Sequence, residues 1–206
     1  MIDFKLYLVT NRRLCAPGSL EQKIQLACRA GVRAVQLREK DLSGRDLYRQ
    51  AQLLRRVTRE SGARLFINDR VDIALVCGAD GIHCPENGLP PDTARRLFPR
   101  GLIGASAHSL DAAVRARLSG ADFVVFGPVF PTPSKIKLGP PQGLAALAAV
   151  TRHVSLPVLA IGGISPDNAF LCLRCGAAGV AVMSAILAAS DTAAVISEFA
   201  QVLGGL

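Results

Sequence analysis

Charged and amide side chains occupy alternate positions in one short segment. Gln36, Arg38 and Lys40 are separated by single residues at the end of an apolar run. In an extended chain, residues two apart lie on the same face. Unpaired charges that face a protein core are costly, so these three side chains predict a surface that binds an anionic ligand.

Carboxylates that could hold a divalent cation follow two further apolar runs. Asn68 and Asp69 follow one run, and Glu86 follows the next. Mg²⁺ is usually bound by one or two carboxylates, with water and substrate phosphate completing its shell. Asp69 is therefore the first predicted Mg²⁺ ligand and Glu86 the second. A helix cap, or an ion pair of Asp69 with Arg70 or Arg38, is the alternative.

The lysines of this chain are concentrated in loops after apolar runs. Lys40, Lys135 and Lys137 are three of only five lysines, in a chain with 24 Lys+Arg. Because a lysine ammonium is a compact and strongly hydrated charge, this placement favours phosphate binding. The alternative is ordinary surface exposure.

Two glycines precede a predicted helix near the end of the chain. Gly162 and Gly163 come just before Ser165, and Ser184 follows the next apolar run. Backbone N–H groups at such a position bind phosphate in many barrel enzymes. A tight turn is the simpler interpretation, and both can hold together.

A repeated pattern positions these residues. Four segments consist of a small residue, a glycine and a short apolar run: 30–37, 77–83, 119–126 and 175–182. Each glycine follows a helical pattern, so we expect it to end a helix before a buried strand. The runs Leu6–Val9, 64–67, 102–105 and 156–161 bring the number of predicted strands to eight.

Helical patterns lie between the predicted strands. Strands and helices therefore alternate, with about 26 residues in each strand–helix unit, as in a compact (β/α)₈ barrel. The predicted helices are 19–30, 43–61, 71–76, 91–98, 109–118, Gly143–His153, 165–174 and 191–203. We therefore predict an α/β fold, a TIM barrel formed by residues 1–206 as one domain. An open doubly wound sheet is the alternative. In a barrel, the reactive side chains lie at the carboxyl ends of the strands.

The composition excludes several classes of protein. The chain has 206 residues, is 50% hydrophobic and carries a formal charge of +8. An apolar fraction this high excludes disorder, and six cysteines are too few for a disulfide scaffold. Cys172 and Cys175 form a lone CxxC pair inside a helical pattern, and without a second pair at zinc spacing this pair does not indicate a metal or redox site. Its role stays open, whereas the other cysteines are predicted to be small core residues.

The partners that the sequence predicts are small and soluble. The arginine excess is spread over helical patterns and lacks interleaved aromatics, so we expect no nucleic-acid binding. No apolar stretch is long enough to span a bilayer. We expect a cytoplasmic protein with reduced thiols. The oligomeric state, including a homo-oligomer, stays open.

At these residues the sequence resembles the thiamine phosphate synthase/TenI family over nearly its whole length. The resemblance rests on the segments 35–40, 66–72, 106–108, 127–135, 161–164 and 182–186. It implies the barrel fold and, in the synthase branch, a transferase. That enzyme joins hydroxymethylpyrimidine diphosphate to thiazole phosphate and releases pyrophosphate.

The resemblance also implies roles for individual residues. It assigns the pyrimidine diphosphate to Gln36, Arg38, Lys40, Asn68 and Lys135, with Asp69 on Mg²⁺ and Ser106 on the pyrimidine. It assigns the thiazole phosphate to Thr132, Ser134, Gly163, Met183 and Ser184. Arg38, Lys40, Ser106, His108 and Lys135 are the predicted catalytic residues.

One departure from the family leaves other activities open. Gly88 stands where synthases have an aspartate that is their second Mg²⁺ ligand, so Glu86 is the candidate replacement. A TenI-like tautomerase acting on a thiazole carboxylate phosphate would use His108 as its proton shuttle. A protein that only binds thiazole phosphate is the third possibility. Pro128 and the segment 131–135 favour the synthase.

Overall fold

Eight parallel strands close into a barrel in chain order, and helices separate them. The computed structural model describes residues 2–15, 17–132 and 140–206. The strands are β1 (Leu6–Val9), β2 (Ala34–Leu37), β3 (Arg64–Asn68), β4 (Gly81–Cys84), β5 (Leu102–Ala107), β6 (Phe123–Phe126), β7 (Val158–Ile161) and β8 (Gly179–Val182). β1 pairs with β8 as well as with β2. The predicted TIM barrel is confirmed, and the open-sheet alternative is wrong.

The helices lie where the sequence patterns placed them. They are α1 (Leu20–Arg29), α2 (Gly44–Ser61), α3 (Val71–Cys77), α4 (Pro91–Leu97), α5 (Leu110–Leu118), α6 (Gly143–His153), α7 (Pro166–Arg174), α8 (Ser184–Leu187) and α9 (Thr192–Leu203). Among the described residues, the sequence patterns do not predict the short α8 or a 3-10 turn at Arg12–Leu14. Ser19, Ser43 and Ser109 accept hydrogen bonds from the first turns of α1, α2 and α5, as expected of N-caps.

The repeated glycine ends a helix in all four segments. Gly31, Gly78, Gly120 and Gly176 have φ angles of 115°, 63°, 81° and 88°. An L residue with a side chain rarely adopts such angles, which is why glycine recurs there. Two of the segments share a further device, an aspartate two residues after the glycine.

At the amino-terminal end of the barrel, each of these aspartates contacts the backbone of the preceding strand and an arginine of a helix. Asp80 accepts a hydrogen bond from the backbone N–H of Leu65 at 2.7 Å and pairs with Arg55 at 2.5 Å. Asp122 accepts one from Ile103 at 2.6 Å and pairs with Arg95 at 2.6 Å. The same three-part contact therefore recurs at β3–β4 and at β5–β6.

The interior of the barrel is filled by four aromatic rings, which we call the aromatic floor: Phe4, Tyr7, Phe66 and Phe123. Their ring centroids lie 5.2 to 5.7 Å apart, mostly edge to face. Glycines on the adjacent strands make room for them. A Cβ at Gly81 would stand 2.3 Å from the Phe66 ring. A second apolar layer, made mainly of aliphatic side chains, lies between strands and helices.

Of the helices in the described ranges, not one combines the length and apolar character needed to cross a bilayer. All six cysteines are free. Cys172 is fully buried, and burial raises its thiol pKa to about 11. A thiol held in its neutral form is a poor metal ligand and a poor nucleophile, in keeping with a core role.

Candidate active site

Polar side chains replace the aromatic rings toward the carboxyl ends of the strands. Gln36, Asn68, His83 and Ser106 come from the consecutive strands β2, β3, β4 and β5, and we call them the polar layer. Asn68 lies two residues beyond Phe66, so both side chains face the interior. In the strand register Asn68 is opposite His83, and His83 is opposite Gly104, two residues before Ser106. Barrel closure thus brings three predicted site residues and one unpredicted residue together.

Two of the strands are longer than predicted because they carry these residues inward. β3 runs through Asn68, and β5 runs through Ala107, beyond the predicted end at residue 105. Ser106 stays in register with Val125 of β6. A search for apolar runs ends each predicted strand before its first polar residue. Asn68 and Ser106 are polar but still belong to their strands, because their side chains face the barrel interior.

Within the polar layer, His83 is the residue to which neither the sequence pattern nor the family resemblance assigned a role. Its Nε2 lies 2.9 Å from Ser106 Oγ, and its ring packs near Tyr7 and Phe123. Burial, with a smaller contribution from the charge of Arg38, lowers the pKa of His83 to about 3. Residues two apart on a strand face the same side, and His83 lies two residues beyond the inward-facing Gly81 of β4. The alternation that we used for Gln36 and Arg38 would therefore also have identified His83.

Arg38 and Lys40 do not share one inner face, because β2 ends at Leu37. Arg38 is half-buried, its backbone N–H donates to Thr10 Oγ1 at 2.8 Å, and burial lowers the pKa of its guanidinium. Lys40 lies in the following turn and is exposed. The predicted placement of Lys40 inside the barrel is wrong, although Lys40 remains at the carboxyl-terminal end.

The residues on either side of Lys40 are held by an ion-pair cluster. Glu39 is buried and accepts hydrogen bonds from Arg12, through the backbone N–H at 2.9 Å and the guanidinium at 3.0 Å. Asp41 pairs with Arg12 and Arg13, each at 2.6 Å, and the Arg12 hydrogen bonds hold the pKa of Asp41 well below its usual range. The loop after β1 therefore fixes the backbone that carries Lys40.

Asp69 follows β3 in a left-handed conformation, with a φ of 65°. Its backbone N–H donates to the carbonyl of His83 at 2.9 Å. Within the described ranges, Asp69 forms no ion pair with Arg70 or Arg38, and Arg70 instead pairs with Asp72 at 2.5 Å. Asp69 does not cap α3 either, because Arg70 stands at that N-cap. Strained backbone at an exposed carboxylate is typical of functional sites.

The loop after β4 approaches Asp69 through a glycine. A Cβ at Gly88 would stand 2.6 Å from Asp69 Oδ1. Glu86 instead contacts the end of β5: its Oε2 accepts the backbone N–H of His108 at 2.8 Å, and its Oε1 lies 3.9 Å from Arg115. In the described part of the chain, no three His, Cys, Asp or Glu side chains form a metal cluster.

The Gly162–Gly163 turn packs against the loop after β6. Gly162 and Gly163 have φ angles of 100° and 63°, and a Cβ at Gly163 would stand 2.4 Å from the Pro131 carbonyl oxygen. The Gly162 carbonyl accepts the backbone N–H of Phe130 at 3.0 Å. The tight-turn interpretation is therefore correct, and it leaves the phosphate interpretation open.

The remaining predicted residues lie around the same end of the barrel. Thr132 is half-buried at the edge of the described loop, whereas Ser134 and Lys135 lie outside the described residues. Met183 is the N-cap of α8, and the exposed Ser184 is its first residue. His108 is exposed, and its Nδ1 contacts the Gly127 carbonyl oxygen.

Comparison with known proteins agrees with this architecture. The family model described as thiamine monophosphate synthase matches residues 6–186. The thiamine-phosphate synthase of Methanoculleus marisnigri is 45% identical over 194 residues, which cover 94% of this chain and 92% of that protein. The thiamine-phosphate synthase of Chloroflexus aurantiacus is 43% identical over 194 residues, covering 94% and 90%.

A solved structure shows the same similarity in three dimensions. Thiamine phosphate pyrophosphorylase from Pyrococcus furiosus matches with a TM-score of 0.88 and 37% identity, covering 98% of this chain and 96% of that one. The chain belongs to the thiamine monophosphate synthase family.

Proposed function

We propose that this chain joins hydroxymethylpyrimidine diphosphate to thiazole phosphate and releases pyrophosphate. The observation that carries the proposal is the family match over residues 6–186, on a barrel whose interior presents Gln36, Asn68 and Ser106 at one opening. The enzyme is thus a transferase. We further propose that it acts as a single domain on small phosphorylated substrates in the cytoplasm.

The diphosphate is proposed to bind beside β2 and β3. Arg38 and Lys40 supply positive charge there, Asn68 supplies an amide, and Lys135 is proposed to approach from the loop after β6. Diphosphate departure builds negative charge on the leaving oxygens, and fixed cations stabilise that charge best where water is excluded. The half-buried Arg38 is the described cation that satisfies this condition best.

The donor set around Asp69 fits a magnesium ion. Mg²⁺ prefers oxygen ligands and is commonly held by one or two carboxylates together with substrate phosphate. Asp69 offers an exposed carboxylate whose Oδ1 lies close to Gly88, only 2.6 Å from the position that a Cβ would take there. When bound, Mg²⁺ would neutralise charge on the leaving diphosphate. Glu86 is proposed as a second ligand, which would require it to release the His108 N–H.

The thiazole phosphate is proposed to bind on the opposite side of the opening, after β7 and β8. The Gly163 backbone and Ser184 at the start of α8 offer N–H and hydroxyl donors, with Met183 beside them. Thr132 and Ser134 are proposed to contribute from the loop after β6. With the two anions on opposite sides, the two rings would meet above the polar layer.

The test is formation of thiamine phosphate and pyrophosphate by the purified protein with Mg²⁺ and both substrates. Asp69→Ala is expected to lower kcat by at least about a hundredfold, because electrostatic stabilisation of the leaving group is lost. Asp111→Ala removes an exposed carboxylate at the start of α5 and serves as the matched control. A wild-type protein that forms no product would refute the proposal.

A tautomerase activity is the second candidate, and the contact of His108 Nδ1 with the Gly127 carbonyl favours it. An Nδ1–H that donates to this carbonyl leaves Nε2 as a free base. The isomerisation assay with thiazole carboxylate phosphate tests it directly. Absence of isomerisation by the wild-type protein would exclude the tautomerase, and an unchanged rate in His108→Ala would exclude His108 as its proton shuttle.

A further inference from the structure

His83 is a buried histidine behind Ser106 to which the proposed chemistry gives no part. Its side chain lies inside the barrel with 2% of the residue exposed. Nε2 is 2.9 Å from Ser106 Oγ, and the ring centroid lies 5.9 Å from that of Tyr7 and 6.2 Å from that of Phe123. The imidazole therefore connects the aromatic floor to a hydroxyl at the barrel opening.

The imidazole carries a single proton at neutral pH. A doubly protonated ring would place an N–H donor on Nδ1, which is buried and has no hydrogen-bond partner in the described part of the chain, so the ring is neutral. A neutral imidazole has one N–H donor and one acceptor nitrogen. The geometry must therefore decide whether the proton is on Nδ1 or on Nε2.

The surroundings of Nδ1 favour the proton on Nε2. Nδ1 is buried without a hydrogen-bond partner in the described part of the chain. It faces the backbone of Gly104, where an added Cβ would lie 2.8 Å away. A buried N–H without an acceptor is rarer in proteins than an acceptor with an unused lone pair. Nε2–H consequently donates to Ser106 Oγ.

We propose that His83 is a positioning residue that fixes Ser106 as a hydrogen-bond donor toward the substrate ring. Because Ser106 Oγ accepts from His83, its own proton is directed away from His83 and toward the opening. A hydroxyl held in this way recognises an unprotonated ring nitrogen and disfavours an N–H group at the same place. The inference rests on the proposed function, in which a pyrimidine ring binds at Ser106.

The tautomer can be measured in the substrate-free protein. Long-range ¹H–¹⁵N spectra of the full chain labelled with ¹⁵N-histidine distinguish a protonated from an unprotonated ring nitrogen. The chain has three histidines, and the His83→Gln spectrum identifies the signals of His83. We expect Nε2 protonated and Nδ1 unprotonated at pH 7. A proton on Nδ1 overturns the proposal whether or not the protein is active.

Kinetics test the consequence for substrate binding. His83→Leu is expected to raise the KM for the pyrimidine diphosphate about tenfold, the usual worth of one oriented hydrogen bond. The KM for the thiazole phosphate is expected to stay unchanged. His83→Gln keeps an N–H near the Nε2 position and is expected to recover most of the loss. His153→Gln, on an exposed histidine of α6, is the matched control.

A double-mutant cycle separates positioning from packing. Ser106→Ala combined with His83→Leu is expected to cost no more than Ser106→Ala alone, because the two residues act through one hydrogen bond. Additive losses, or a folded His83→Leu enzyme with unchanged KM for the pyrimidine, overturn the proposal. If the wild-type protein forms no thiamine phosphate, the proposed function fails and the tautomer measurement still decides the role of His83.

Discussion

The aromatic floor and the polar layer are two levels of the barrel interior, and on β3 only two residues separate them. Phe66 of the floor and Asn68 of the polar layer both face inward from β3. In the floor, rings 5.2 to 5.7 Å apart fill the interior. In the polar layer, Gln36 and His83 are buried, and the half-buried Asn68 and Ser106 reach the barrel opening. On β3, one pleat of strand therefore separates a packed apolar region from the polar region that we propose binds the substrate.

His83 stands at the junction of the two regions. Its ring packs on the floor, and its Nε2 meets Ser106 of the polar layer. If the floor provides stability and the polar layer provides substrate binding, substitutions in the floor should change the free energy of unfolding and leave the kinetic constants unchanged. Substitutions at the opening should do the reverse, and His83 should affect both.

The largest effect is expected in the floor. Phe66→Ala removes a fully buried ring that touches three others, and should lower the free energy of unfolding by about 3–5 kcal/mol. Denaturant unfolding measures the loss. The KM values of the remaining folded enzyme should stay within about twofold of wild type, since the polar layer, and not the floor, lies at the barrel opening. A large change in KM would contradict the separation of the two regions.

The next effect is expected at the opening. Arg38→Ala should lower kcat/KM for the pyrimidine diphosphate about a hundredfold, because a half-buried cation that meets the diphosphate is lost. Thermal unfolding of the variant should be near that of wild type. Arg56→Ala, on the exposed face of α2, is the control for removal of one positive charge. Equal losses in both variants would show a general charge effect.

A smaller effect is expected from overfilling the floor. Gly81→Ala places a methyl group 2.3 Å from the Phe66 ring and 2.7 Å from the Leu102 carbonyl oxygen. The ring and the strand must shift, which should cost about 1–3 kcal/mol of unfolding free energy. Gly120→Ala is a comparison with open space around its Cβ, so any loss there comes from the backbone at a φ of 81°. A Gly81→Ala protein as stable as wild type would contradict the close packing.

The last effect comes from His83 and develops only below neutral pH. Its pKa is about 3 in the folded protein, against an ordinary value of 6.5, so the unfolded chain takes up the proton first as the pH falls. This contribution to stability is complete above about pH 6.5 and is lost toward pH 3, at about 1.4 kcal/mol per pH unit. His83→Gln should unfold with a shallower dependence over this range. The difference in unfolding free energy between wild type and His83→Gln, followed against pH, measures the contribution of His83, because both proteins contain all the other titrating groups.

The sequence predicted the barrel because the strand period of two residues and the helix period of 3.6 residues are both local patterns. Alternating apolar runs, capping serines and the repeated glycine each operate over a few residues, and the structure has them where they were expected. The polar residues that end these runs lie at the carboxyl-terminal end of the barrel for the same reason. Lys40 was misplaced because β2 stops at Leu37, where the loop after β1 binds Glu39 and takes the chain out of the sheet.

Local pattern and a family resemblance thus determined the architecture, the end of the barrel that carries the site, and the residue types gathered there. Only the tertiary structure decided which of them touch. His83 meets Ser106, Arg12 meets Glu39, and Gly88 faces Asp69, across separations of roughly 20 to 30 residues. Such pairs exist only once neighbouring strands lie side by side in one register, and no short stretch of sequence specifies that register on its own.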